Sequence, residues 1–133
     1  MNAFIVELPN RPGEMARVTE VLAARNVNIL VWGIGIGDRY GMPFVCNDEE
    51  GARKALGDAG ISYRELPILH VRMEDKPGQS AAASRKLADA GVNIGLWAPV
   101  DTGPEGFTVA VGVDDLEAAE TALSGQLTTW SYH

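Results

Sequence analysis

The chain has 133 residues, 46% of them hydrophobic, and carries a net charge of −7 with a pI near 4.7. That is the size and composition of a small globular protein, and the acidic balance argues against nucleic-acid binding, which needs clustered Lys and Arg. Basic residues are scattered, with adjacent pairs only at Arg53-Lys54 and Arg85-Lys86, both on expected helices where a solvated face explains them. The single cysteine, Cys46, sits in an expected strand and reads as a small buried residue; it cannot form an intrachain disulfide, so nothing implies secretion. No apolar run approaches membrane-spanning length, and no basic stretch precedes a hydrophobic one at the N-terminus, so no membrane contact and a cytoplasmic location are the expectation.

In chain order, residues 4–8 (FIVEL) read as a strand that stops at Pro9. Pro12-Gly13 opens a helix in which Met15, Val18, Val21 and Leu22 follow helical spacing. It ends near Asn26, a residue type that tolerates the left-handed conformation. Residues 27–36 form a long expected strand, with Val27, Ile29 and Val31 on one face and Leu30, Trp32 and Ile34 on the other. Asp38-Arg39-Tyr40-Gly41 reads as a hairpin connection and residues 44–46 as the returning strand. Asp48 can cap a second helix that buries Ala52, Ala55, Leu56 and Ala59 and stops at Gly60; residues 61–66 supply a fourth strand.

After Pro67 the cycle restarts. Residues 68–73 are the first strand, 78–90 an alanine-rich helix stopped at Gly91, and 92–100 the long strand. A hairpin spans 102–106, and Phe107, Val109 and Val111 alternate along the next strand. Asp114 and Glu117 have capping-box spacing for a helix to about Ser124, Gly125 stops it, and residues 126–132 can form a last strand. The offset between copies is constant: Pro12 to Pro77, Asn28 to Asn93 and Trp32 to Trp97 are each 65 residues apart (77 − 12, 93 − 28, 97 − 32). A repeat within one chain sets the architecture. Each copy has the order βαββαβ, the ferredoxin-like α+β arrangement of antiparallel sheet and helices, giving units of residues 1–66 and 67–133.

The candidate chemistry lies where each first strand turns into its helix. A helix N-terminus presents unpaired N–H groups and partial positive charge, which favours a carboxylate by roughly 0.3–2 kcal/mol. Gly13 and Gly78 leave the backbone accessible there, and Asn28 and Asn93 offer an amide donor and acceptor at the start of the following strand. The plainer reading is that Pro-Gly starts a helix and Asn follows one; a duplicated structural turn would be retained too. Gly33-Ile34-Gly35-Ile36-Gly37 lacks G-x-G-x-x-G spacing and leads into a hairpin, so it is no nucleotide loop. His70 and His133 share no metal-ligand spacing with Cys46 or an acidic pair, so neither a metal nor a cofactor is expected. No nucleophile–base arrangement points to an enzyme.

Two βαββαβ units, each with Pro-Gly at the first helix and Val-Asn-Ile opening strand two, resemble tandem ACT domains over essentially the whole chain. The resemblance implies paired domains side by side in one extended sheet with helices on one face, and small effectors, most often amino acids, at the seam between units. It further implies one site from Asn10, Arg11, Pro12, Gly13, Glu14 and Met15 with Asn93 and Ile94, and another from Asp75, Lys76, Pro77, Gly78, Gln79 and Ser80 with Asn28 and Ile29. Where the family often has a bulky apolar residue two positions after the glycine, this chain has Met15 but Ser80, so the second site is the weaker expectation. On this reading no enzyme or DNA-binding domain is expected beside the repeats. The function implied is therefore that of a non-enzymatic amino-acid sensor. The alternative is an interaction module or regulatory subunit of a separate metabolic enzyme that binds nothing small. A homodimer through the Leu30, Trp32 and Ile34 face is a further expectation, against which stands burial of the tryptophans within the chain.

Overall fold

The computed structural model describes residues 1–35 and 40–132. The expected hairpin residues Asp38 and Arg39, together with Ile36, Gly37 and His133, lie outside the described residues. The elements are β1 (Asn2–Leu8), α1 (Glu14–Ala23), β2 (Ile29–Trp32), β3 (Tyr40–Cys46), α2 (Glu49–Asp58), β4 (Tyr63–Met73), α3 (Gln79–Asp89), β5 (Ile94–Gly103), β6 (Gly106–Val113), α4 (Leu116–Ala122) and β7 (Leu127–Thr128). The chain divides into two compact units, Asn2–Glu65 and Leu66–His133, the latter with Met1.

In the N-terminal unit the strand order is β2-β3-β1-β4, and in the C-terminal unit it is β5-β6-β4-β7. Each is a ferredoxin-like antiparallel sheet carrying two helices. Alternation decides which side chains the helices cover. Phe4, Val6 and Leu8 of β1 and Met42, Phe44 and Cys46 of β3 pack under Val18 and Leu22 of α1 and Ala52, Ala55 and Leu56 of α2. Leu69, Val71 and Met73 with Val109, Val111 and Val113 do the same under Ala83 and Leu87 of α3 and Ala119 of α4. The left-handed stops are where the sequence places them, with Asn26 at φ 58, Gly60 at φ 69, Gly91 at φ 73 and Gly125 at φ 90.

Several expectations are corrected. Tyr40 and Gly41, expected in the hairpin, belong to β3, and Ala59, expected to be buried, is exposed. The strands expected at 61–66 and 68–73 are one strand, β4, because Pro67 suits extended backbone and lacks only an N–H donor. The last strand contracts from residues 126–132 to the two residues of β7. The cap of α4 is Asp115, which accepts from the Ala118 N–H at 3.1 Å, and not Asp114. The long strand expected at 27–36 is only Ile29–Trp32, continued by a bridge between Gly35 and Gly41.

Within β2 the alternation breaks. Ile29 pairs with Cys46 and Val31 with Val45, so Leu30 is the extra residue of a β-bulge. Trp32 then lies opposite Phe44, on the core side with Ile29, while Val31 lies on the other side. Leu30, Trp32 and Ile34 therefore do not form the single apolar face expected to support a homodimer. The same bulge recurs in β5: Ile94 pairs with Val113 and Leu96 with Gly112, Gly95 is extra, and Trp97 lies opposite Val111. Trp97 packs against its core, whereas Trp32, nearer the strand end, is 50% exposed.

α2 is clasped to the sheet by Arg53, which binds Glu65 through Nε at 3.0 Å and Nη2 at 2.8 Å, reaches Glu49 at 3.2 Å, and lies 5.8 Å from the Phe4 ring centre. Asn2 completes the network by donating to both carboxylates. Leu22 and Leu87, fully buried partners in the repeat, give a direct test of equivalent cores. Replacing either with Ala is expected to cost about 2–5 kcal/mol in chemical denaturation; a cost near zero at one position would show that its core is not packed as described.

Candidate functional site

The two turns share one backbone frame, the second adding a bond from the Gln79 N–H to Lys76 O at 3.4 Å. The Arg11 N–H donates to Pro9 O at 3.0 Å, and the Lys76 N–H donates to Glu74 O at 3.1 Å. Gly13 (φ 91, ψ −12) and Gly78 (φ 91, ψ −10) are the N-cap residues of α1 and α3. Both are left-handed, which costs an L-residue roughly 1–2 kcal/mol, so glycine is set here by backbone conformation. A Cβ at either would meet nothing within 4 Å, so the space above is open. Glycine supplies no capping side chain. The first intrahelical bonds come from Arg17 N–H to Gly13 O and from Ala82 N–H to Gly78 O. The N–H groups of Met15 and Ala16, and of Ser80 and Ala81, thus have no partner among the described residues.

The strand openings are equally alike. The Asn28 N–H donates to Asn47 Oδ1 at 2.9 Å, and Asn47 N–H returns a bond to Asn28 O at 3.0 Å. The Asn93 N–H donates to Asp114 Oδ1 at 2.9 Å, and Asp114 N–H returns a bond to Asn93 O at 3.3 Å. With both backbone groups engaged, the side-chain amides of Asn28 and Asn93 remain exposed and without a hydrogen bond among the described residues. Neither Asn47 nor Asp114 was singled out as a site residue from sequence. The signal was present: Asn47-Asp48 and Asp114-Asp115 recur 67 residues apart (114 − 47), the two extra residues lying in the second copy's longer hairpin.

Turn and asparagine do not meet within a unit. The β1 end, Leu8, pairs with Tyr40, whereas Ile29 pairs with Cys46, six residues along β3. Met73 pairs with Phe107, whereas Ile94 pairs with Val113, six residues along β6. At about 3.3 Å per residue, each turn lies about 20 Å from its own unit's strand opening.

The repeated positions differ in charge and packing. Glu14 in the first turn of α1 is 7% exposed and accepts from Arg11 Nε at 2.7 Å and Arg17 at 3.3 Å. The Arg11 hydrogen bond chiefly, then Arg17, holds its carboxyl below the usual carboxylate range against the opposing effect of burial. Its counterpart Gln79 is neutral, and Lys76 pairs instead with exposed Glu74 at 2.6 Å. Pro12, Pro77, Asn10 and Asp75 are exposed on the turns. Met15, Ile29 and Ile94 flank the cores, so packing accounts for them; Ser80 is exposed and does not.

Among the described residues no group of three or more His, Cys, Asp or Glu could hold a metal, and no helix is long and apolar enough to cross a membrane. Outside the turns, His70 Nε2 lies 2.6 Å from the Tyr132 hydroxyl. Burial lowers the His70 pKa and raises that of Tyr132 to about 12. Both groups are therefore neutral at physiological pH, and the contact fastens the C-terminal segment to β4.

Because the folded-state pKa of Glu14 is depressed, its ion pairs stabilise the protein above the unfolded carboxylate pKa and are lost as pH falls through the folded value. Wild type is expected to melt above Glu14→Gln at pH 7, with the gap shrinking as pH drops below about 4.5. A gap independent of pH in this range would show that the carboxylate is not held this way.

The profile of the ACT domain pair matches residues 1–128. No curated protein matches the chain in sequence. A Bacteroides thetaiotaomicron protein shares its fold with TM-score 0.74 and 22% identity, over 96% of this chain and 90% of that one. The regulatory subunit of aspartate kinase from Thermus thermophilus, in its ligand-free form, matches with TM-score 0.62 and 25% identity, over 92% and 87% of the two chains. The corresponding subunit from Thermus flavus matches with TM-score 0.64 and 21% identity over 92% and 88%. With a duplicated βαββαβ fold, paired glycine turns and a family match over nearly all its length, this chain belongs to the ACT domain-pair family.

Proposed function

We propose that this chain is a non-catalytic regulatory protein that binds a free amino acid through its glycine turns and the asparagines that open β2 and β5. The observation that carries the reading is the pairing of unused hydrogen-bonding groups at repeat-related positions. Open amides at Met15–Ala16 and Ser80–Ala81 suit a ligand carboxylate, and unengaged Asn28 and Asn93 side chains suit its ammonium or a polar side chain. A ligand of amino-acid size cannot span 20 Å. No such ligand bridges a turn and the asparagine of the same unit.

The two sites would be unequal. Glu14 already places a carboxylate at the α1 terminus, with two arginines committed to it, whereas α3 has no acid in its first turn. This moves the stronger carboxylate site to Gly78–Ala81, reversing the order expected from Ser80. An amino acid has few heavy atoms, and at roughly 0.5 kcal/mol per atom Kd falls between about 10 μM and 1 mM.

A second reading is favoured by one observation, the similarity to an aspartate kinase regulatory subunit at 25% identity: the chain assembles with a separate metabolic enzyme and binds no small ligand. Thermal melting against the twenty amino acids at millimolar concentration separates the two. The sensor reading expects one amino acid, or one chemical class, to raise Tm, and Asn28→Ala to abolish most of that rise while the free protein's stability changes by less than about 0.5 kcal/mol. A flat panel would leave the assembly reading standing alone. The exposed asparagines are better probes than Gly13 or Gly78, where any side chain adds backbone strain.

A further inference from the structure

Two side chains outside the binding groups are arranged to control them. We propose that Asn47 and Asp114 are positioning residues for the ligand site, each fixing the asparagine that opens the second strand of its unit; this rests on the amino-acid-binding reading above. The bulges at Leu30 and Gly95 lie two residues after Asn28 and Asn93. A bulge leaves ladder bonds unmade and bends and twists the strand locally. Each strand opening is tied beside it by a two-bond clamp, with side-chain oxygen to asparagine N–H at 2.9 Å and returning N–H to asparagine carbonyl at 3.0 Å or 3.3 Å. The clamp occupies the backbone donor and acceptor of Asn28 and Asn93. What is left to face a ligand is the side-chain amide, on a backbone held by two hydrogen bonds.

The two copies use different chemistry for the same bond. Asn47 accepts with an amide oxygen and Asp114 with a carboxylate oxygen, at the same distance. What has been kept is an acceptor on a short side chain, not a charge. The next residue in each copy, Asp48 or Asp115, separately caps the following helix by accepting from Gly51 or Ala118. Removing the Asn47 or Asp114 side chain therefore leaves the helix caps intact and frees an N–H that is exposed to water.

The test measures Kd by calorimetry for whichever of the twenty amino acids most raises the wild-type Tm. An Asn28→Ala background restricts the titration to the Asn93 site. Adding Asp114→Ala is expected to weaken binding about tenfold, the effect of losing one well-oriented hydrogen bond between the Asn93 side chain and the ligand. Adding Asp114→Asn restores an acceptor and is expected to hold Kd within about threefold of the background. If Asp114→Ala lowers Tm but leaves Kd unchanged, the clamp supports only the fold and the inference falls. Equal weakening by Asp114→Ala and Asp114→Asn would also overturn it, since charge and not position would then be at work. If Asn28→Ala/Asn93→Ala binds as wild type does, or if no amino acid raises Tm, the site reading itself is wrong and the inference goes with it.

Discussion

Two strands that are each antiparallel to the same neighbour run parallel to each other, and their connection must cross the length of the sheet. That constraint organises both units. β1 and β2 flank β3, β4 and β5 flank β6, and α1 and α3 are the crossovers. The end of the first strand and the start of the second therefore lie at opposite ends of one sheet. The glycine turn is forced away from the asparagine that follows its helix.

The remaining features sharpen those ends. Gly13 and Gly78 take the left-handed conformation that lets strand run into helix within a few residues, and they bring no side chain to cap the helix or cover its amides. The bulges turn Trp32 and Trp97 toward the helix side, and the clamps from Asn47 and Asp114 hold the strand openings. The cores beneath are apolar packing, with Phe4 stacked on Phe44 in the N-terminal unit and mostly aliphatic side chains in the C-terminal one. Differences between the copies collect at the turns, where Glu14 and its two arginines face a neutral Gln79.

Much of this was legible in the sequence because the signals are local. The 65-residue offset, the Pro-Gly turns, the left-handed stops at Asn26 and Gly91 and the Asp48 cap each rest on a few adjacent residues. What was missed depends on pairing. A bulge is invisible to an alternation argument: Leu30, Trp32 and Ile34 look like one face until the register with β3 shows that Leu30 is extra. Asp114 has the composition of a helix cap, and only the bond to Asn93, twenty-one residues back, reveals another role and gives the cap to Asp115. Pro67 looks like a break because proline ends helices and central strands, yet it passes within β4. Of the candidate site residues, the exposed asparagines and turn glycines keep an availability that packing does not explain, whereas Met15, Ile29 and Ile94 are accounted for by the cores they flank.

The most direct test of the proposal that the repeated turns and strand openings hold an amino acid is a backbone-amide NMR titration with the amino acid of greatest thermal effect. Saturable shifts are expected to concentrate at a turn, residues 76–81 above all, and at the strand openings near Asn28 or Asn93. Saturable shifts confined to other surfaces, with turns and openings unmoved, would contradict it.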